Sequence, residues 1–472
     1  MTAQPVELDL MKVNVVGVQM HNLIYGTLLK KTPTGEVVPD LAKSVTVVDP
    51  STVKVELKPN LKFTDGTPVD ANAYKFSIER MINQAQPGGK EAEVNQISAV
   101  TVDSPTNFTI TLKQPIAGAI TRLMRLCEVG CPTSPTAVQN GTNFSTSPVG
   151  AGPYKVKSFT AGQELVLEKN PDYWDAKDIK IKTIQYKNIP AASIQTALQG
   201  GQVDWSGLTA TMVTELQGNP TVKTTTISTS NSMLLGMMCK NRPPFDNLQV
   251  RQALNYALDR KDLNQKLYQG KGEDMWGWNK KGDPGYDASL ANYYKYNPKK
   301  AKQLLADAGQ SNLSFDVVFT PGTSSETIAQ IVQQQYAKVG ITVGLKPQTT
   351  VTDFFPNATL APVNFFELQR AGIPKVSRTL VPGSFGDVCN WDDPQLNALV
   401  VQANGLADGS PEQAKVWQQI SKRTLETAAD VFGLFTNQYY ATNSRTVKTI
   451  QINEGRTGIP EIYWWGTTLK SS

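Results

Sequence analysis

The sequence predicts an α/β protein of two lobes, and three observations carry that reading. At 472 residues the chain is too long for one ordinary hydrophobic core. Its first half is rich in strand-like alternation, whereas beyond Cys239 helical and strand patterns alternate. Late in the chain, Phe432 to Phe435 has the texture of a return strand. Two lobes joined by two crossings is the build of a protein that clamps a ligand.

From the start, Gln19 to Lys31 mixes helical spacing at Ile24, Leu28 and Leu29 with a central Gly26, which predicts a short helix. A β-rich subdomain follows, because Val53, Val55 and Leu57 alternate, as do Phe108, Ile110 and Leu112. One helix interrupts it, capped by Asp70 and carrying Tyr74, Ile78, Met81 and Ile82 on one face. SPVGAGPYKV from Ser147 is a turn that delivers the chain to a strand, and VDWSGL from Val203 follows a helix ending near Gly200 and Gly201.

Leu234 to Met238 reads as a short apolar strand, closed by the turn at Arg242, Pro243 and Pro244. Asp246 is the predicted N-cap of the next helix, with Gln249 three residues on and Phe245 and Val250 as a hydrophobic staple. Val250, Ala253, Leu254, Ala257 and Leu258 form its apolar face. Asn297 and Pro298 open another helix with Ala301, Leu304, Leu305 and Ala308 inward and Gly309 as its stop. Ser314 to Thr320 is a strand, Thr327 to Val339 a helix, and Ile341, Val343 and Leu345 a further strand. Asp393 and Pro394 lead into a helix bearing Leu396, Leu399, Val400 and Ala403, and Ser410, Pro411 and Gln413 open one more. An aromatic cluster, Tyr463, Trp464 and Trp465, lies close to the end.

Composition excludes several function classes. Apolar content of 40% and charge of 18% are those of a soluble globular protein, and no apolar run reaches the length of a membrane span. The net charge of +5 is spread without Lys/Arg clusters, which argues against nucleic acid. With His21 as the one histidine, a His-rich metal site and any catalytic design needing two histidines are excluded. No G-x-S-x-G elbow, H-E-x-x-H or phosphate-cradling loop occurs, so a secreted hydrolase, the rival reading, has no motif behind it. A chaperone or receptor-like module is a further alternative. Nothing calls for a cofactor. MTAQPVELDL lacks a basic start, an apolar core and a cleavage site, so no export signal is expected within it.

The run YGTLLKKTPTGEVVPDLAKSVTVVDPSTVKVELKPNLKFTDGTPVDANAYKFSIERM resembles the N-terminal signature of the solute-binding proteins of ABC importers, in the dipeptide, oligopeptide and nickel class, family 5. PVGAGPYKV is similar to that family's P-x-G-x-G-P-Y turn, ALQGGQVDW to its small-residue helix end, PPFDNLQVRQALNYALDR to its crossover helix and NPKKAKQLLADAG to its later capped helix. QPVELDL is similar to the segment that follows the family's first strand.

The resemblance implies a two-lobed Venus-flytrap periplasmic-binding-protein fold of class II, cluster C, with the β-rich subdomain added to the first lobe. Residues 1–238 and 437–472 would form the first lobe, with 31–150 as its subdomain, and 239–436 the second. Hinge crossings would fall near 236–242 and 432–438. It implies a monomer that captures a small organic or peptide-like solute in an interlobe cleft and delivers it to ABC permease subunits. It also implies a periplasmic or cell-surface location, with a signal peptide and a lipidated cysteine as the only membrane attachment. In an exported protein, the even cysteine count suggests two disulfides, Cys127 with Cys131 and Cys239 with Cys389, against the alternative of four buried thiols.

Peptide-binding members hold the ligand's ammonium with an Asp in a D-Y-x-x-P motif. The matching segment here, Cys389 to Pro394, puts Asn390 in that position, a neutral amide where the family has a charge, so ordinary peptides become less favoured unless Asp387 or Asp392 compensates. Arg370, before a turn where members bring a loop to the cleft, suits a carboxylate. Trp276 and Trp278 lie in a loop with no amphipathic pattern to absorb them, and Trp391 is similar in kind. Gln19, Met20 and His21, set before the first helix, are where members reach the ligand from the first lobe, and Trp205 and Asn231 stand at junctions beside the crossing. For each, a plain structural role is the competing reading. Nickel is disfavoured, because too few histidines remain to hold the metal or its chelator.

Overall fold

A computed structural model describes residues 7–12, 18–85, 92–228, 232–321, 323–348, 363–369, 376, 380–382, 392–453, 461, 462, 464 and 467–470. The chain divides into two compact units, one made of Met1–Ile227, Asn404–Asp408 and Tyr439–Ser472, the other of Ser228–Ala403 and Gly409–Gln438. The first passage between units thus falls at Ile227 and Ser228, ahead of the crossing expected near 236–242.

In the first unit, the strands Ala42–Asp49, Thr52–Leu57, Asn107–Leu112 and Ile97–Ser104 form an antiparallel sheet in that spatial order. Val53, Val55, Phe108 and Ile110 point to its buried face, the period of two read in the sequence. The helix Ala71–Gln84 covers them, with Tyr74 stacked on Phe108 at 5.4 Å between ring centroids. Asp70 caps it, Oδ1 accepting from the Ala73 amide at 2.9 Å. The first helix is Val18–Tyr25 and stops there, because Gly26 turns to φ +71°. Leu28 and Leu29, expected in that helix, lie beyond it, and Leu29 starts the short strand Leu29–Lys31.

The SPVGAGPYKV turn packs on this helix end. The Ala151 and Gly152 amides donate to the Tyr25 and Ile24 carbonyls at 3.1 and 2.9 Å. A Cβ on Gly150 or Gly152 would come within 2.3 or 2.2 Å of a helix carbonyl oxygen, so both positions require glycine. The strand Gln438–Asn443, not distinguished by pattern from the tail, lies between Trp205–Leu208 and Val222–Ile227. Ala197, Leu198, Val203, Leu216, Val222 and Ala441 form the core beneath.

In the second unit, the fully buried strand Ser232–Met238 pairs antiparallel with Val363–Gln369 on one side and Asp430–Phe435 on the other. The expected return strand is therefore real, and Glu273–Asp274 extends the sheet beyond it. Ser314–Phe319 and Thr342–Pro347 form a parallel pair, with the helix Ser324–Ala337 as their crossover. That helix starts ahead of the Thr327 expected from the apolar spacing, since its first turn is polar and exposed.

The predicted helix after the proline turn is two. Leu248–Ala257 buries Val250, Ala253, Leu254 and Ala257, as its apolar face required, and Arg260–Tyr268 follows with Asp259 as its cap. The first cap is Asn247, whose Oδ1 accepts from the Gln249 amide at 2.8 Å, and not Asp246. Arg251 explains the shift. Its guanidinium holds the Phe245 and Asp246 carbonyls at 2.9 Å each, which keeps Asp246 in the preceding turn.

Candidate functional site

Met20 and His21 lie inside the first helix, where the sequence had put them ahead of it, and both are buried. His21 Nε2 is 3.3 Å from the Glu7 carbonyl, and the neighbouring Tyr25 hydroxyl donates to the Leu8 carbonyl at 2.9 Å. The helix thereby holds residues 7–12 in place. Burial pushes the His21 pKa down, opposed by the bond to Glu7 and by the carboxylates of Glu128, Glu7 and Asp9. An enclosed imidazole bonded to a carbonyl acts as a packing tie between this helix and residues 7–12. Gln19 shares this helix, but its side chain lies outside the described residues.

Trp205 begins a strand of the first unit, stacks on Tyr440 at 6.4 Å and is buried. Its Nε1–H has no hydrogen-bond partner among the described residues. A buried donor left open is costly unless water, a ligand or a residue outside the described ones accepts from it. Cys127 and Cys131 are joined as a disulfide, Cα to Cα 4.3 Å.

The two loop tryptophans of the second unit differ. Trp278 is fully buried, its Nε1 donating to Thr424 Oγ1 at 3.0 Å and its edge set against Phe432 at 6.0 Å. The expectation of an exposed, ligand-seeking indole is corrected here: the helix Pro411–Glu426 and the strand Asp430–Phe435 supply the core that local periodicity lacked. Trp276 is half-buried, and the Arg260 guanidinium carbon lies 4.5 Å from its ring centroid. Cys239 is buried and disulfide-bonded.

Asn231, Arg370, Cys389, Asn390 and Trp391 lie outside the described residues. Asp392, one residue on, is exposed and accepts from Asn397 Nδ2 at 2.7 Å. Sequence reasoning missed the role of Asp393. It caps the next helix through the Leu396 amide at 3.2 Å and takes a bidentate pair from Arg423, at 2.8 and 3.1 Å. Arg260, two residues after Leu258, is a second buried charge that carries no signal in the sequence.

Among the described residues, no group of three or more His, Cys, Asp or Glu is placed to hold a metal ion, and no helix is long and apolar enough to cross a membrane.

The family described as bacterial extracellular solute-binding proteins, family 5 middle, matches residues 36–372. A glutathione-binding protein GsiB of Shigella flexneri serotype 5b is 30% identical over 324 residues, 66% of this chain and 61% of that protein. The match thus spans about three-fifths of that relative's length. Among solved structures, the binding protein AgaA of A. tumefacien R10, in complex with agropinic acid, superposes with a TM-score of 0.86 at 24% identity, covering 100% of this chain and 98% of the other. The oligopeptide-binding protein AppA of Bacillus subtilis, in complex with a nonapeptide, does so at 0.82 and 20% identity, covering 100% and 98%. The fold is therefore the two-lobed one of periplasmic binding proteins.

Proposed function

We propose, from the premise that this chain belongs to the family 5 bacterial extracellular solute-binding proteins, that it is the non-catalytic solute-binding component of an ABC-type importer. The match over residues 36–372 carries this reading. The ligand class is a small organic or peptide-like solute that bears carboxylates. Asn390 in place of the family's Asp removes an anchor for an ammonium, Arg370 offers a fork for a carboxylate, and relatives are named for glutathione and bound to agropinic acid. Trp205 and Trp276 are the described residues we assign to the ligand, the first for its open indole N–H, the second for its half-buried ring. Gln19, Asn231, Arg370, Asn390 and Trp391 complete the assignment from the sequence.

The protein acts outside the cytoplasm as a monomer, held at the membrane by a lipid anchor, and hands its ligand to the permease subunits. An oxidising location suits the Cys127–Cys131 disulfide. Purified protein is to be titrated with glutathione, a dipeptide and a nonapeptide while tryptophan emission is followed, with product analysis alongside. Saturable binding without turnover of glutathione is the expected result. Turnover, or no response to any of the three, contradicts the reading.

A further inference from the structure

Arg260 opens the helix Arg260–Tyr268, yet it is only 3% exposed. Its Nη1 donates to the Tyr294 carbonyl at 3.0 Å, with longer contacts to the carbonyls of Asn255 at 3.4 Å and Leu258 at 3.5 Å. Nε and Nη2 are buried without a hydrogen-bond partner. The guanidinium is thus pinned by neutral groups, and among the described residues no carboxylate pairs with it as a salt bridge. Burial brings its pKa down to about 10, opposed first by Asp274 and then by Tyr336, Tyr294 and Asp259, so it is a cation at neutral pH. Trp276 lies over it at 4.5 Å and is itself half-buried.

An isolated indole face is electron-rich and favours cations. Here one face is already occupied by a fixed guanidinium, whose charge acts through the thickness of the ring in a poorly screened setting. We propose that Arg260 is a positioning and specificity residue: it fixes the Trp276 plane and makes the face turned away from it a subsite for carboxylate-bearing or neutral planar groups, and against ammonium groups. This deepens the ligand-binding reading and rests on Trp276 meeting the solute.

The test uses the full chain and two ionic quenchers, iodide and caesium, reading Trp276 emission as the difference between the native protein and Trp276→Phe. Iodide is expected to quench better than caesium by about threefold or more. Arg260→Met should bring the ratio close to one, and Asp274→Asn, which removes the carboxylate that most favours the charged guanidinium and leaves the stack alone, should raise it. Equal quenching in the native protein, or an unchanged ratio in Arg260→Met folded by circular dichroism, overturns the proposal. If Arg260→Met does not fold, Asp274→Asn decides: a rise supports the proposal and no change overturns it. Glutathione and its diethyl ester are titrated in parallel. Absence of binding to both sinks the ligand reading, while the quencher ratio still decides Arg260.

Discussion

Trp278→Ala removes a fully enclosed indole and its bond to Thr424, and is expected to cost about 3–5 kcal/mol of stability. Urea denaturation measures this, and the affinity of the fraction that stays folded should be unchanged. His21 gives the residue scale its pH signature. Its folded pKa lies below the ordinary imidazole value of 6.5, so the neutral form is the one the fold prefers. Its contribution is complete above pH ~6.5 and is lost as pH falls through the lower folded value. Melting points taken from pH 7.5 down to 5 should therefore fall less steeply in His21→Gln than in the native protein; equal slopes would remove His21 as the cause. Neither role was legible in the sequence. The partners of Trp278 lie far along the chain, and a lone histidine carries no spacing from which burial can be read.

Elements were read more faithfully, because caps and apolar faces are local. Asp70, Asn297 and Ser410 cap the helices assigned to them, accepting from the amides of Ala73, Lys300 and Gln413. Asp246 failed for an instructive reason: two good caps stand side by side, and Arg251, from inside the helix, decides between them by gripping the turn. Asn247→Ala is accordingly expected to cost ~1 kcal/mol and Asp246→Ala a few tenths, measured by chemical denaturation of both variants. The split at Leu258 shows in the sequence only as a change of phase, Leu263 of the second helix standing off the face of Val250, Leu254 and Leu258. Period alone does not register a new axis.

For the whole molecule, the change of texture near Cys239 announced a second unit, since antiparallel meanders and parallel crossovers write different patterns. Its border at Ile227 and Ser228 was not legible, because Ser232–Met238 is one continuous apolar run whose allegiance is settled by Val363–Gln369 and Asp430–Phe435. Of the candidate site, the aromatic residues were visible as residues but not as environments: the sequence could not tell Trp276 from Trp278, two positions apart in one loop. Ligand binding should be felt across the fold. Glutathione at one hundred times its dissociation constant is expected to add about 2.7 kcal/mol to unfolding, read as a melting point that rises with concentration.

The placing of Asp430–Phe435 and Gln438–Asn443 in two different sheets also dictates an order of assembly. Each sheet waits for a strand far along the chain from its partners: one beside Ser232–Met238, the other between Trp205–Leu208 and Val222–Ile227. The sheet built from Ala42–Asp49 to Asn107–Leu112 can pair from its own neighbours, so it is the part able to form first, with the other two sheets closing once residues 430–443 have joined them.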